Sequence, residues 1–304
     1  MKKLQGIIIP AVTPFDEKGG LRLDWLQENI RRWNQTAVGG YMVLGSNGEF
    51  RSLSDDESLA VIETAAANTA PDKLLIAGVG RESLYQTTAF IDRLSEKKIA
   101  VDYVSVLTPG YFKAAMTDAA LTDYYTRIAD KSAYPVLIYC APKFANGVCI
   151  SGEALRRLAD HPNIAGIKDT SSDMMECYME AAGGREDFEV FSGSLSNIMC
   201  CIEHGGKGGI ISGANYFPET CAKLYALCCS NDKDRTAQYF KKLKELAAKT
   251  GGSAGVAGVK AAMNLMGFSG GIPRKPVLPC SRELIDTMNR AIADNSDWIL
   301  DQRL

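Results

Sequence analysis

Ile164-Ala165-Gly166-Ile167-Lys168-Asp169 is a short apolar run that closes on a lysine and an aspartate. Residues 165–168 read as a brief buried strand, and the pattern recurs. Seven further apolar stretches, rich in β-branched residues or bounded by glycine, lie at 6–10, 41–45, 74–78, 103–107, 136–139, 190–192 and 209–212. Between most successive stretches the apolar spacing turns helical, most clearly at 21–33, 55–69, 85–95 and 122–129. Alternation of strand and helix predicts a parallel sheet with right-handed crossovers. Eight units without a break in composition predict closure into a TIM (β/α)8 barrel rather than an open sheet. Ser54-Asp55-Asp56-Glu57 has the spacing of a capping box, and Ser151-Gly152-Glu153 that of a second helix start. After Asn215 the pattern is purely helical, at 217–229, 233–248, 255–266 and 281–294. The expected organisation is a barrel with the active site over residues 1–225 and a C-terminal helical extension over 226–304.

Composition bounds the partners. The chain has 304 residues, 46% hydrophobic and 23% charged, which suits one large core and a barrel of about 250 residues with an extension. Net charge is −2 and no basic run is dense enough for nucleic acid or a membrane surface, leaving a small-molecule ligand. No apolar run approaches the ~20 residues of a membrane span. Met1-Lys2-Lys3 and the apolar stretch after it imitate a signal peptide, but Pro10, Pro14 and Asp16 interrupt it. A cytoplasmic location is expected. Nine cysteines, two adjacent pairs among them, show no CxxC spacing, and His161 and His204 are the only histidines. Reduced, mostly core thiols are expected, with no metal site.

Barrel enzymes place their chemistry at the C-terminal ends of the strands. Those ends read Gly45-Ser46-Asn47-Gly48-Glu49, Thr108-Pro109-Gly110-Tyr111, Tyr139, Lys168-Asp169, Ser192-Gly193-Ser194 and Ile211-Ser212-Gly213. Lys168 stands out. Desolvation lowers the pKa of an ammonium and frees the amine to attack a carbonyl. The plainer reading is a rim lysine in solvent or paired with Asp169. Tyr139, ending the adjacent strand, suits a proton relay, against a plain packing role. Ser46, Asn47 and the backbone at Gly48 offer donors for a carboxylate, although a polar turn after a strand is commonly just a turn. Two glycine-rich stretches lead elsewhere. Gly78-Val79-Gly80-Arg81-Glu82-Ser83 lacks the third glycine of a dinucleotide fingerprint. Gly205-Gly206-Lys207-Gly208-Gly209 lacks the ending of a phosphate loop and reads as a helix-to-strand turn.

Three of these motifs in this order resemble the dihydrodipicolinate synthase / N-acetylneuraminate lyase family. They are Gly45-Ser46-Asn47-Gly48-Glu49, Tyr139-Cys140-Ala141-Pro142 and Gly166-Ile167-Lys168-Asp169. The likeness runs from Pro10-Ala11-Val12-Thr13-Pro14-Phe15 to Val259-Lys260-Ala261-Ala262. It implies class I pyruvate aldolase chemistry on a (β/α)8 barrel with C-terminal helices, assembled as a homotetramer or dimer. It implies Lys168 as the Schiff-base lysine, needing no further cofactor, and Tyr139 as the catalytic tyrosine. It also implies Ser46 in the proton relay, and Tyr111 as the tyrosine that joins the relay from a neighbouring subunit. Asn47, Gly193 and the Ile211 carbonyl match positions around the pyruvyl group.

The departures bear on substrate. The synthases carry a carboxylate-binding arginine two residues after the proline following the tyrosine, where this chain has Phe144. A phenyl ring cannot form that bidentate pair. The sialic acid lyases place acidic residues after the glycine of strand seven, where this chain reads Gly193-Ser194-Leu195-Ser196. The Gly-Ser-Asn-Gly-Glu-Phe and Ser-Gly-Ser stretches are more similar to the 4-hydroxy-2-oxoglutarate aldolase branch. The expected substrates are then pyruvate and a small aldehyde, with Lys143 as candidate partner of a distal carboxylate. The rival activities are 4-hydroxy-tetrahydrodipicolinate synthase, a 2-keto-3-deoxy sugar acid aldolase, and a non-catalytic 2-oxo acid sensor.

Overall fold

The computed structural model describes residues 2–230 and 232–302. Met1, at the head of the basic N-terminal stretch, and Asn231, Arg303 and Leu304, in the expected extension, lie outside the described residues. Among the described residues eight strands form: β1 (Gly6–Pro10), β2 (Gly40–Val43), β3 (Leu74–Gly78), β4 (Tyr103–Leu107), β5 (Val136–Cys140), β6 (Ile164–Asp169), β7 (Glu189–Ser192) and β8 (Gly208–Ile210). They follow one another in sequence order around a closed barrel. The pairings β1–β2 and β3 through β8 are parallel. The expected TIM barrel is therefore present, with strands buried on both faces, as parallel sheets require.

The helices are α1 (Leu23–Trp33), α2 (Asp55–Asn68), α3 (Leu84–Glu96), α4 (Asp118–Lys131), α5 (Gly152–Ala159), α6 (Met175–Ala182), α7 (Ile198–Glu203), α8 (Pro218–Cys228), α9 (Lys233–Lys249), α10 (Gly255–Leu265) and α11 (Arg282–Ala293). The short α6 and α7 had no clear apolar period in the sequence. The last strand also differs from its expected span of 209–212. It stops at Ile210, and Ser212–Asn215 wind into a 3-10 turn. The reason is a long-range anchor: Asn215 donates to the Pro10 carbonyl at 3.0 Å and accepts from the Val12 N–H at 3.1 Å, which holds the chain in a turn.

Two compact units emerge from the packing, residues 2–5 with 75–210, and residues 6–74 with 211–302. In the first unit, α3 buries Phe90 and Leu94, α4 buries Leu121, Tyr125 and Ile128, and α5 buries Leu155 and Leu158. In the second, Trp33 packs against Tyr41 and Phe268 at ring-centroid distances of 6.0 and 5.8 Å. Its indole N–H donates to the Asn215 carbonyl at 3.2 Å. There Pro218 occupies the first turn of α8, where its missing N–H costs nothing. The N–H groups of Glu219 and Thr220, in the same first turn, donate to the Asp301 carboxylate. No helix of the described residues is long and apolar enough to cross a membrane.

Candidate active site

Within the first unit, parallel register sets Leu107, Tyr139, Lys168 and Phe191 side by side on β4 to β7. Side chains alternate along a strand, so Lys168 and Asp169 leave β6 on opposite faces. The Asp169 carboxylate accepts the Ser171 N–H at 2.9 Å and the Ser171 hydroxyl at 2.7 Å. Burial holds that carboxyl above its ordinary range. Lys168 is buried, 3% exposed, with Nζ 4.1 Å from the centre of the Tyr139 ring. Desolvation lowers its ammonium to about 7. A buried amine against an aromatic face is the condition a nucleophilic lysine needs.

Space beside the amine is kept by Gly193. A β-carbon there would stand 2.2 Å from Thr170 Cγ2, 3.0 Å from the Asp169 carbonyl oxygen and 3.1 Å from Lys168 Cε. Thr170 is itself fixed by hydrogen bonds from its N–H and hydroxyl to the Cys140 carbonyl, at 3.0 and 3.2 Å. Tyr111 follows β4 on an exposed turn, 77% exposed, and meets the Phe112 ring edge-on at 4.9 Å. The N–H groups of Gly110 and Tyr111 both donate to Glu82 at 3.1 Å. Lys143 and Phe144 are exposed on the turn after β5.

Within the second unit, the loop after β2 carries Ser46 and Asn47. Leu44 and Glu49 flank it in the left-handed region, with φ of 58° and 49°. Side chains with a β-carbon adopt that region at a cost, and such outliers gather at functional loops. The loop is pinned by the Thr13 hydroxyl, which donates to the Gly48 carbonyl at 2.7 Å. Asn47 Nδ2 donates to Ser212 Oγ at 2.8 Å. The Ile211 carbonyl accepts the Ala214 N–H at 3.1 Å, and a carbonyl oxygen keeps a second lone pair for another donor. Behind the loop, Glu49 meets Lys260 at 2.5 Å.

The structure thus sets Lys168, Tyr139 and Gly193 together in the first unit, and Asn47 beside Ser212 in the second. Tyr111 and Lys143 stand on exposed turns of the first unit. Sequence reasoning missed Thr170 and Glu82, and gave Ser212 only as part of the Ile211-Ser212-Gly213 strand end. Glu82 had a signal, since it sits in the Gly78–Ser83 stretch that looks like half a dinucleotide fingerprint. That stretch instead supplies the carboxylate that fixes the Tyr111 turn.

Residues 3–295 match the model of the dihydrodipicolinate synthetase family. A 4-hydroxy-tetrahydrodipicolinate synthase of Xanthomonas axonopodis is 30% identical over 291 residues, covering 96% of this chain and 94% of the relative. A protein of Emericella nidulans named a probable mitochondrial 4-hydroxy-2-oxoglutarate aldolase is 29% identical over 297 residues, covering 95% and 94%. The crystal structure of dihydrodipicolinate synthase from Thermotoga maritima superposes with a TM-score of 0.89 at 26% identity, covering 96% of this chain and 99% of that one. Motifs, barrel and match across the chain agree, and the protein is a lyase belonging to the dihydrodipicolinate synthetase family.

Proposed function

We propose that the chain is a Schiff-base pyruvate aldolase that cleaves 4-hydroxy-2-oxoglutarate, or a close analogue, to pyruvate and glyoxylate. The observation that carries it is Lys168, an amine buried against Tyr139 and brought to about 7 by desolvation. The neutral amine attacks the C2 ketone of the 2-oxo acid to give a carbinolamine, and loss of water leaves an iminium. That cation draws the electron pair of the C3–C4 bond as it breaks, releasing the aldehyde and an enamine. Protonation at C3 and hydrolysis return pyruvate and the free lysine. Tyr139 is the proton carrier, with Ser46 and Tyr111 as its relay partners. Asn47, oriented by Ser212, and the Ile211 carbonyl serve the pyruvyl group. The protonated imine supplies the polarisation, so the reading calls for no metal or other cofactor.

The test is borohydride reduction in the presence of pyruvate, followed by peptide mass analysis. A pyruvyl adduct on Lys168 is expected. A folded protein that takes none at saturating pyruvate would remove the chemistry and leave only the fold. Phe144, where the synthases carry a carboxylate-binding arginine, favours the aldolase over the synthase reading, since a phenyl ring cannot form that bidentate pair. Lys143 is proposed for the distal carboxylate of the hydroxy-oxo acid. Lys143→Met is expected to raise KM for the dicarboxylate by about tenfold, the scale of one charged hydrogen bond. An equal rise for an analogue with an uncharged tail would remove that role.

A further inference from the structure

Cys140, the residue after Tyr139 at the end of β5, has its Sγ 3.4 Å from Cys149 Sγ. The Tyr178 hydroxyl lies 3.3 Å from the first sulfur and 3.2 Å from the second. The single phenolic proton of Tyr178 goes to the Ile150 carbonyl at 2.6 Å, which anchors the ring from behind. Both thiols are free, Cys140 buried and Cys149 part-exposed. The chain between them turns through Lys143, Phe144, Asn146 and Gly147, the last two in the left-handed region. A disulfide needs its sulfurs at about 2.05 Å, so the pair must close by roughly 1.4 Å. An exposed turn with two left-handed residues can take up that movement.

We propose that Cys140 and Cys149 are a peroxide-oxidised dithiol, whose disulfide fastens the 141–148 turn to the end of β5 beside Tyr139. The Cys149 thiolate attacks one peroxide oxygen, the O–O bond breaks, and hydroxide leaves to be protonated to water. The resulting sulfenic acid is attacked at sulfur by Cys140, which loses its proton as a second water departs. Two thiols and one peroxide give one disulfide and two waters, and an added thiol reductant reverses it. The pairing also differentiates the thiols. Cys140, hydrogen-bonded to Cys149, draws Cys149 down to about 7, while burial pushes Cys200 and Cys201 up. The thiolate is the form that peroxide oxidises.

Trypsin separates the two cysteines, because Lys143 divides peptide 132–143 from peptide 144–156. The reduced protein is treated with one equivalent of hydrogen peroxide, alkylated in denaturant at low pH, and digested. The expected product is the two peptides joined by one disulfide and parted by dithiothreitol, with Cys149 consumed at least about tenfold faster than the exposed Cys229. Cys140→Ser is expected to leave a sulfenic acid on Cys149 that dimedone traps. Recovery of both peptides fully alkylated, or oxidation of Cys149 no faster than of Cys229, would overturn the proposal. The readout is covalent and needs no substrate, so it stands or fails independently of the aldolase reading.

Discussion

Burial lowers the Lys168 ammonium to about 7, so the free amine that attacks a carbonyl is half populated close to neutral pH. The rate of borohydride-trapped adduct formation with pyruvate is therefore expected to rise about tenfold per pH unit below 7 and to level off above it. A midpoint above pH 9 would mean that desolvation is not what activates the amine. The same shift acts on stability with a definite sign. The lysine value falls from 10.5 unfolded to about 7 folded, so between these limits the unfolded chain binds more protons and stability rises with pH. Below pH 7 the full penalty applies. Lys168→Met is expected to stabilise the fold at pH 6 by about 4 kcal/mol, and by much less near pH 10, in paired urea titrations. Gly193→Ala tests the neighbouring space, since its β-carbon would meet Thr170 Cγ2 at 2.2 Å. Loss of the pyruvyl adduct is expected, with partial recovery when Thr170→Ser removes that methyl group. Lys168 and Tyr139 were legible because a reactive side chain ending an apolar strand is conspicuous in sequence. Thr170 was not, because its value lies in what it touches, the flank of Gly193; Ser212 was visible at its strand end, but its bond to the amide of Asn47 was not.

The Ser46–Asn47 loop depends on buried charge behind it. Lys260, on α10, donates at 2.8 Å to the carbonyls of Thr13 and Ile272, meets Glu49 at 2.5 Å, and lies 4.4 Å from the Phe15 ring centre. Glu49 also accepts the Arg274 N–H at 2.9 Å, while Arg274 forks onto Glu57, the acid of the capping box at Ser54. Glu49 thus ties the loop to Lys260 on α10 and, by way of Arg274, to Glu57 in the first turn of α2. Burial lowers Lys260 to about 8, which leaves its ammonium charged at pH 7. Removing one partner of a buried pair strands the other. Lys260→Met is expected to cost about 3–5 kcal/mol in urea unfolding at pH 7, with at least half recovered by adding Glu49→Gln. A loss under about 1 kcal/mol would show that the loop holds itself. The capping box was readable as Ser54 and Glu57 three residues apart, and helix ends fell within a few residues of expectation because caps are local. The Glu49–Lys260 pair joins residues over 200 apart in sequence, and no local pattern announces it.

The barrel as a whole was legible because its eight strands repeat one short apolar pattern between helical segments, and closure in sequence order needs no unusual connection. Assembly is a different matter, since it depends on what remains uncovered. Tyr85, Tyr111, Phe112 and Phe144 are 82, 77, 69 and 53% exposed, all in the first unit. Aromatic rings are costly to leave in water and are enriched at the centre of protein interfaces. The Tyr111 turn is also held in place by Glu82 rather than left loose, as a contact surface requires. A relay role for Tyr111 supplied by a neighbouring subunit predicts at least a dimer, and specific activity that falls on dilution below its dissociation constant. Phe112→Asp places a charge beside Tyr111 and is expected to yield a monomer in sedimentation. Its Lys168 is expected still to take the borohydride-trapped pyruvyl adduct, but about a hundredfold more slowly, the lower end of what a positioned acid–base group contributes. A wild-type chain that sediments as a monomer at full activity would remove Tyr111 from the mechanism while leaving Lys168 and Tyr139 in place.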